Sequence, residues 1–398
     1  MRTIIPWCLL AFFVWSCSSS APSILGSSAS DSNPVTGQKV LFQVWGLSDN
    51  PPLRYAWHAD SGELEEWNEE QPYAYWIAPD SPGPCSVACT IMDSEDNSST
   101  RVFEITVNQR ELKTVLGHGT VSCLEKQRIS LIGGAWVSTR DGQIRYISSS
   151  ANEVSSWTGV FGAMYIELYF TLYGSSYSLW GAPVQGNEIS VQSSGSTSTL
   201  VCQKCAPDGT IHDLAADVLD TDLLWIASDS GLHWYHSKSG NHDTYEADAI
   251  GETHDLFSGK RFVYAAADTG IFALEGTKDD DTPLYPGDSC AVLEIIGDDA
   301  TTQEIEDSDA VTVWHVTGGD VCRNGQALAD QPHDLPGGET ICSLSVDLKG
   351  NIWCGKYRWD GASWQVQAGL EDADVVKSAV SNEGIVYFQT ASGALLRW

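Results

Sequence analysis

The chain has 398 residues, enough for two or three domains, with 53 Asp plus Glu against 21 Lys plus Arg and a formal net charge of -32. That balance opposes binding to nucleic acid or to anionic lipid through bulk electrostatics. Hydrophobic residues make up 42% of the chain and Trp alone occurs 16 times, which excludes a disordered acidic polymer and allows large cores.

The amino terminus reads as an address. Arg2 precedes the apolar run Ile4 to Trp15, and Ser16-Cys17 follows. The run falls short of the about 20 residues that a stable membrane crossing needs, and residues 1–17 fit a secretory signal. Val14-Trp15-Ser16-Cys17 resembles a bacterial lipobox. The resemblance implies cleavage before Cys17 and lipidation of Cys17, so the membrane is reached through a lipid anchor only. No Asp follows Cys17, and by the same resemblance this implies sorting to an outer membrane, on its periplasmic or surface side. Residues 18–33 hold eight Ser between Ser18 and Ser32 and offer little to bury, so a flexible tether is expected.

From Val35 to Val107 short runs alternate apolar and polar residues: Val40-Phe42-Val44, Tyr55-Trp57, Tyr75-Ile77, Val87-Thr90-Ile91 and Phe103-Ile105-Val107. Pro, Gly, Asp and Asn separate them, the pattern of a small antiparallel sandwich over 34–109. Tyr55-Ala-Trp57, Gly62, Trp76-Ile-Ala-Pro79, Pro82-Gly83 and Met92-Asp93 resemble PKD and related bacterial Ig-like modules, which implies a spacer or an adhesive unit.

Residues 110–398 repeat. Aromatic residues at Trp136, Trp180, Trp225, Tyr264, Trp314, Trp353 and Tyr387 follow one another at intervals averaging about 42, the length of one four-stranded propeller blade. Six residues beyond the aromatic stands Gly142, Gly186, Gly231, Gly270 or Gly393, where a tight turn is expected. Leu224-Trp-Ile-Ala-Ser-Asp-Ser-Gly-Leu-His-Trp234 and Val263-Tyr-Ala-Ala-Ala-Asp-Thr-Gly-Ile-Phe-Ala-Leu274 resemble two-component-regulator and LVIVD propeller repeats. The expected fold is therefore all-β: an Ig-like sandwich, then a seven-bladed β-propeller. After Tyr387 the chain holds a third strand and no fourth, so Glu111 to Leu116 is expected to complete the last blade and remove its open edge.

Eleven Cys less Cys8 and Cys17 leave nine, an odd number for an oxidising compartment. Cys342 and Cys354 flank the turn around Asp347 to Asn351 and are expected to face each other across a hairpin as a disulfide pair. Cys202 and Cys205 can close on each other; a zinc site would need a second CxxC, and redox chemistry is a third reading. Cys85 and Cys89, four apart on one strand, are too distant to bond without a bend.

His-Asp-Leu occurs at 212–214, 254–256 and 333–335. The first two copies are 42 residues apart and fall at the start of the innermost strands of adjacent units, which places His212, Asp213, His254 and Asp255 at the channel mouth as binding candidates. They can bind a metal or serve as bases. Alternatively each His donates to nearby backbone while each Asp accepts from the next turn and locks units together. The third copy is out of register, ahead of Ile341-Cys342-Ser343-Leu344, which speaks against a symmetric metal ring. His233, His236 and His242 crowd one unit and read as chance placement on a solvated strand. Asp279-Asp280-Asp281, Asp288, Asp298-Asp299 and Asp93 to Asn97 read as solvated loops with at most weak Ca²⁺ affinity. Trp234, Trp359 and Trp364 suit a sugar platform or blade packing equally.

No nucleophile elbow, phosphate-cradling loop or dinucleotide fingerprint occurs, so no catalytic residue and no cofactor is assigned. Residues 111–398 carry 16 Lys plus Arg against 40 Asp plus Glu, which favours a basic or cation-bridged partner. The expected function is a surface-exposed, lipid-anchored binding or scaffold protein whose propeller engages a protein or glycan partner, such as a cell-envelope complex. The alternative is a propeller enzyme resembling streptogramin lyases or metal-dependent lactonases, with His212 and His254 near the reacting centre. A sensor domain, suggested by the two-component-regulator-like repeats, is a third reading.

Overall fold

The computed structural model describes residues 20–398 apart from 66–67, 126–133, 149–151, 172–173, 194–198, 204, 207–208, 218–219, 221, 246–249, 260–261, 275–283, 287–288, 297–310, 318–319, 324–325, 328–334, 336–340, 342 and 382. The signal segment with Cys17, the acidic runs at 279–281, 288 and 298–299, His333-Asp334 and Cys342 lie outside the described residues. The elements named among the described residues are β-strands, and the chain divides into two compact units, Met1–Gln109 and Arg110–Trp398.

In the first unit β1 (Ser23–Ala29), β2 (Lys39–Leu47), β3 (Arg54–Ala59), β4 (Glu63–Leu64), β5 (Tyr73–Ile77), β6 (Gly83–Met92) and β7 (Ser98–Val107) form two antiparallel sheets, β1-β2-β5-β4 and β3-β6-β7. Period-two alternation buries Val40, Phe42 and Val44 of β2 with Cys85, Val87, Cys89 and Ile91 of β6. Both sheets share one core with Trp57, Trp76 and Phe103. Cys85 and Cys89 are buried there and unbonded.

One expectation is corrected here. Ser23–Ala29, inside the stretch read as a tether, is an edge strand paired to β2 from Ser23↔Leu47 to Ala29↔Phe42. Backbone pairing holds it, and Ile24 and Ala29 pack, partly buried, against the core. The serines between them gave no apolar periodicity to read. Gly26 allows the Trp45 ring to lie against the strand, since a Cβ there would sit 3.3 Å from Cε3.

The second unit begins with β8 (Lys113–Leu116). Seven four-stranded antiparallel sheets follow among the described residues. The first contains β9 (Val121–Glu125), β10 (Ala135–Thr139), β11 (Gln143–Ile147) and β12 (Asn152–Thr158). The second contains β13 (Phe161–Thr171), β14 (Gly174–Pro183), β15 (Ile189–Ser193) and β16 (Thr199–Cys202). The third is β17 (Ile211–Ala216), β18 (Leu223–Ser228), β19 (Gly231–His236) and β20 (His242–Tyr245). The fourth is β21 (Thr253–Ser258), β22 (Val263–Ala267), β23 (Gly270–Leu274) and β24 (Tyr285–Pro286). The fifth is β25 (Ser289–Ile296), β26 (Val311–Thr317), β27 (Asp320–Arg323) and β28 (Gln326–Ala327). The sixth is β29 (Leu344–Val346), β30 (Ile352–Cys354), β31 (Tyr357–Trp359) and β32 (Trp364–Val366). The seventh has β33 (Val375–Val380), β34 (Val386–Thr390) and β35 (Leu395–Arg397), and its fourth strand is β8, with Leu395↔Leu116 and Arg397↔Lys113.

All seven framing aromatics lie on the second strand of a sheet, from Trp136 in β10 to Tyr387 in β34. Trp225, Trp353 and Tyr387 are fully buried. Asp217 and Asp347 accept the indole N–H groups of Trp225 and Trp353 at 2.9 and 3.1 Å, so the ring burial leaves no orphan donor in these two sheets. Separate hydrophobic cores lie between consecutive sheets, for example Trp225, Tyr245, Leu256 and Phe272 between the third and fourth. The first strands neighbour one another in order, β9, β13, β17, β21, β25, β29 and β33, and β33 returns to β9. The Tyr387 hydroxyl and Arg397 guanidinium donate to the carbonyls of Ile147 and Ser148, each at 3.0 Å, and tie the seventh sheet to the first. The unit is β-propeller-like.

His233 differs from its expected solvated placement: it is buried on β19, bonded through Nδ1 to Thr244 at 3.0 Å and through Nε2 to Ser228 and Ser230. Burial pushes its pKa down to about 4, and it does the same to His315 on β26. Both rings therefore stay neutral in the fold at pH values where the unfolded chain takes up protons. Their contribution is complete above the unfolded value near 6.5 and is lost as the pH falls from there towards 4, on the order of 3 kcal/mol for each ring at the limit. Urea unfolding at pH 7 and at pH 4.5 will give a lower stability at pH 4.5, and His233→Gln will remove a large part of the difference.

Candidate functional site

The first strands share a backbone device. The register of β17 against β18 shifts between Ile211 and Asp213, and that of β21 against β22 shifts between Thr253 and Asp255. His212 and His254 are thus the extra residues of two equivalent β-bulges, which re-aim a side chain that a regular strand would send to a fixed face. Shifts at the same place occur in β13, β25 and β33.

The residue after the bulge turns to the next sheet. Asp213 Oδ2 accepts the Leu256 N–H at 3.0 Å, and Asp255 Oδ2 accepts the Val292 N–H at 3.0 Å. Ser343 Oγ accepts the Ser378 N–H at 3.0 Å in the same way, and the Met164 N–H bonds Cys123. Asp213 and Asp255 are both buried. Their carboxylates, with Glu125 and Cys123, act electrostatically on Lys377, which stands at the equivalent position of β33. Burial works against the Lys377 ammonium, but Cys123, Asp213, Glu125 and Asp255 outweigh it and raise its pKa above the ordinary value. The Cys123 thiol is itself pushed up to about 12, chiefly by burial, so it is no nucleophile at neutral pH.

The two histidines lie beside each other with ring centroids 6.3 Å apart and planes at 29°. His212 Nε2 is 2.6 Å from Asp229 Oδ1 and 3.3 Å from Glu252 Oε1. His254 Nε2 is 3.0 Å from Asp268 Oδ1, and its Nδ1 is 3.5 Å from the same Glu252 oxygen. Asp229 and Asp268 occupy the turns between the second and third strands of their sheets, two residues before Gly231 and Gly270. Each is fixed by backbone: Asp229 Oδ2 accepts from Thr210 N at 2.9 Å, and Asp268 Oδ2 accepts from Glu252 N at 3.2 Å. The Thr210 amide, ahead of the His212 charge, holds the Asp229 carboxyl below its usual range. His212 and His254 keep 30% and 25% of their side-chain surface exposed, so these polar groups meet solvent.

The structure brings together His212 and His254, and places Asp213 and Asp255 on a different task between the sheets. Asp229, Glu252, Asp268 and Lys377 escaped the sequence reading. The Asp of Ala-Ser-Asp-Ser-Gly and Ala-Ala-Asp-Thr-Gly carried a signal, since both sit just before the framing Gly.

Cys202 and Cys205 are joined as a disulfide. The register of β29 and β30 sets Leu344 opposite Cys354, and the pairing expected between Cys342 and Cys354 falls on a residue outside those described. The Cys354 thiol donates to the Ile341 carbonyl at 3.3 Å. Asp93 accepts from the amides of Glu95 and Asn97 and from the Ser48 hydroxyl, so its oxygens are committed to closing their own turn. Trp359 and Trp364 pack on each other at 5.5 Å against the core between the fifth and sixth sheets, and Trp234 packs against the core between the third and fourth.

No family model and no curated protein matches the chain. Among solved structures it is similar to the extracellular domain of the one-component system BT4673 from B. thetaiotaomicron, at 15% identity, TM-score 0.49, over 73% of this chain and 40% of that one. The chain thus spans about two fifths of that protein's length. It is also similar to the WD40 domain of Neurospora crassa Pan2, at 11% identity, TM-score 0.41, over 73% of this chain and 96% of that one. At TM-scores below 0.5 neither likeness bears on activity.

Asp213→Ala will orphan the buried Leu256 amide and leave Lys377 less well compensated, costing about 2–3 kcal/mol. Asp213→Asn, which keeps an acceptor oxygen, will cost less; denaturant midpoints of the two variants at pH 7 measure the difference.

Proposed function

We propose that the chain is a lipid-anchored, surface-exposed binding or scaffold protein of the bacterial cell envelope. In this reading an Ig-like sandwich spaces a seven-bladed β-propeller, closed by the amino-terminal strand β8, away from the membrane. The propeller engages a protein or glycan partner through the end at which β17 and β21 begin. The observation that carries the reading is the division of labour at the two bulges. Asp213 and Asp255 secure the ring from inside, while His212, His254, Asp229, Glu252 and Asp268 are left at the surface, with no part in any hydrophobic core. The ring of seven first strands supports the blade count, and the -24 balance of residues 111–398 suits a basic or cation-bridged partner.

Crosslinking on intact cells, followed by recovery through a carboxy-terminal tag, will yield a discrete partner from the wild type. It will yield none from a His212→Ala/His254→Ala double variant of unchanged circular dichroism. Recovery of the chain alone overturns the binding role. Metabolic labelling with an alkyne fatty acid will mark the wild type but not Cys17→Ser, and an unlabelled wild type overturns the anchor.

A further inference from the structure

We infer that the junction of the third and fourth sheets is a binding site for one divalent transition-metal ion of the zinc class, held by His212 Nε2, Asp229 Oδ1 and Glu252 Oε1. These three atoms lie within 4.8 Å of one another. The 3.3 Å separation of His212 Nε2 from Glu252 Oε1 is close to the distance between two donors that each bind zinc at about 2.0–2.1 Å in a tetrahedron. The 2.6 Å separation of Nε2 from Asp229 Oδ1 is a hydrogen bond, and it must open by about 0.7 Å as the ion replaces the proton between them. The ligand set is one neutral imidazole and two carboxylates, so a doubly charged cation is neutralised within the site.

Three features distinguish this cluster from a chance group of surface acids. First, each ligand is held by its own backbone device: His212 by the bulge, Asp229 by the Thr210 amide, and Glu252 by reciprocal bonds with Asp268, whose N–H donates to the Glu252 carbonyl at 3.0 Å. Gly251 at φ +79° makes the last of these possible, because a Cβ there would crowd Asp268 Cβ at 3.0 Å. Second, His254 is placed as a supporting group. Asp268 fixes the ring through its Nε2, and Nδ1 lies 3.5 Å from the Glu252 oxygen, an ion pair when the ring carries both protons. Third, the repeat is broken at the needed place. The residue equivalent to Glu252 in the third sheet is Thr210, so the His-Asp pair of the third sheet gains its second carboxylate only from the fourth. An imidazole among the donors selects zinc-like ions over Ca²⁺, which takes oxygen ligands.

The test is direct titration of the purified, chelator-stripped full chain with Zn²⁺ alone, with Ca²⁺ alone and with Co²⁺ alone. It needs no partner, and so it can succeed or fail independently of the binding role proposed above. Zn²⁺ will bind with a stoichiometry of one. His212→Ala will abolish this binding, His254→Ala will weaken it roughly 10-fold to 100-fold, and His242→Ala, an exposed ring on β20, will leave it unchanged. Co²⁺ in the wild type will give a visible spectrum of nitrogen and oxygen ligation, a readout that depends on no variant. The proposal is overturned by absence of saturable Zn²⁺ binding, by equal affinity for Ca²⁺, by binding undiminished in His212→Ala, or by a thiolate charge-transfer band with Co²⁺.

Discussion

A side chain on the first strand of one sheet accepting a backbone amide from the first strand of the next is the contact on which the second unit depends. Within a sheet the ladder fixes every residue. Between sheets there is no ladder, and the apolar cores that fill the gaps are strong but non-directional. Asp213 to Leu256, Asp255 to Val292 and Ser343 to Ser378 supply the missing direction, each to the same relative position. Two of these acceptors are buried carboxylates. Lys377, brought round by the return of β33 to β9, compensates the charge they bring with them.

The bulge makes two adjacent residues do different work. In a regular strand His212 and Asp213 would point to opposite faces of one sheet. With the register slipped between Ile211 and Asp213, the Asp reaches sideways to the neighbouring strand while the His meets the turn Asp of its own sheet and a Glu of the next. Structural and chemical groups are therefore neighbours in sequence but separate in role, and the local backbone, more than residue identity, separates them.

Much of this fold was legible because it repeats. The aromatic frame marks the second strand of every sheet, and the count of strands after Tyr387 pointed to the pairing of β8 with β35. The structural alternative for the His-Asp-Leu copies had each Asp accept from the next turn and each His donate to backbone. Asp213 and Asp255 accept amides of the neighbouring sheet, while His212 and His254 meet carboxylates. What the sequence hid has physical causes. β1 is an edge strand held by backbone, so its serines read as a tether. His233 is buried among hydroxyls, a solution that leaves no periodic trace. A bulge changes register without changing composition, so neither the aim of His212 nor its meeting with Asp229 and Glu252, 17 and 40 residues away, could be read from spacing.

The strand that completes the seventh sheet is also the segment by which that sheet is joined to residue 109. Tension drawn along the chain from the sandwich thus arrives at β8 before it reaches any other strand of the unit. The Tyr387 hydroxyl and the Arg397 guanidinium join the same sheet to the first. Closure of the seventh sheet and the passage of the chain from the first unit to the second are thus carried by one and the same strand.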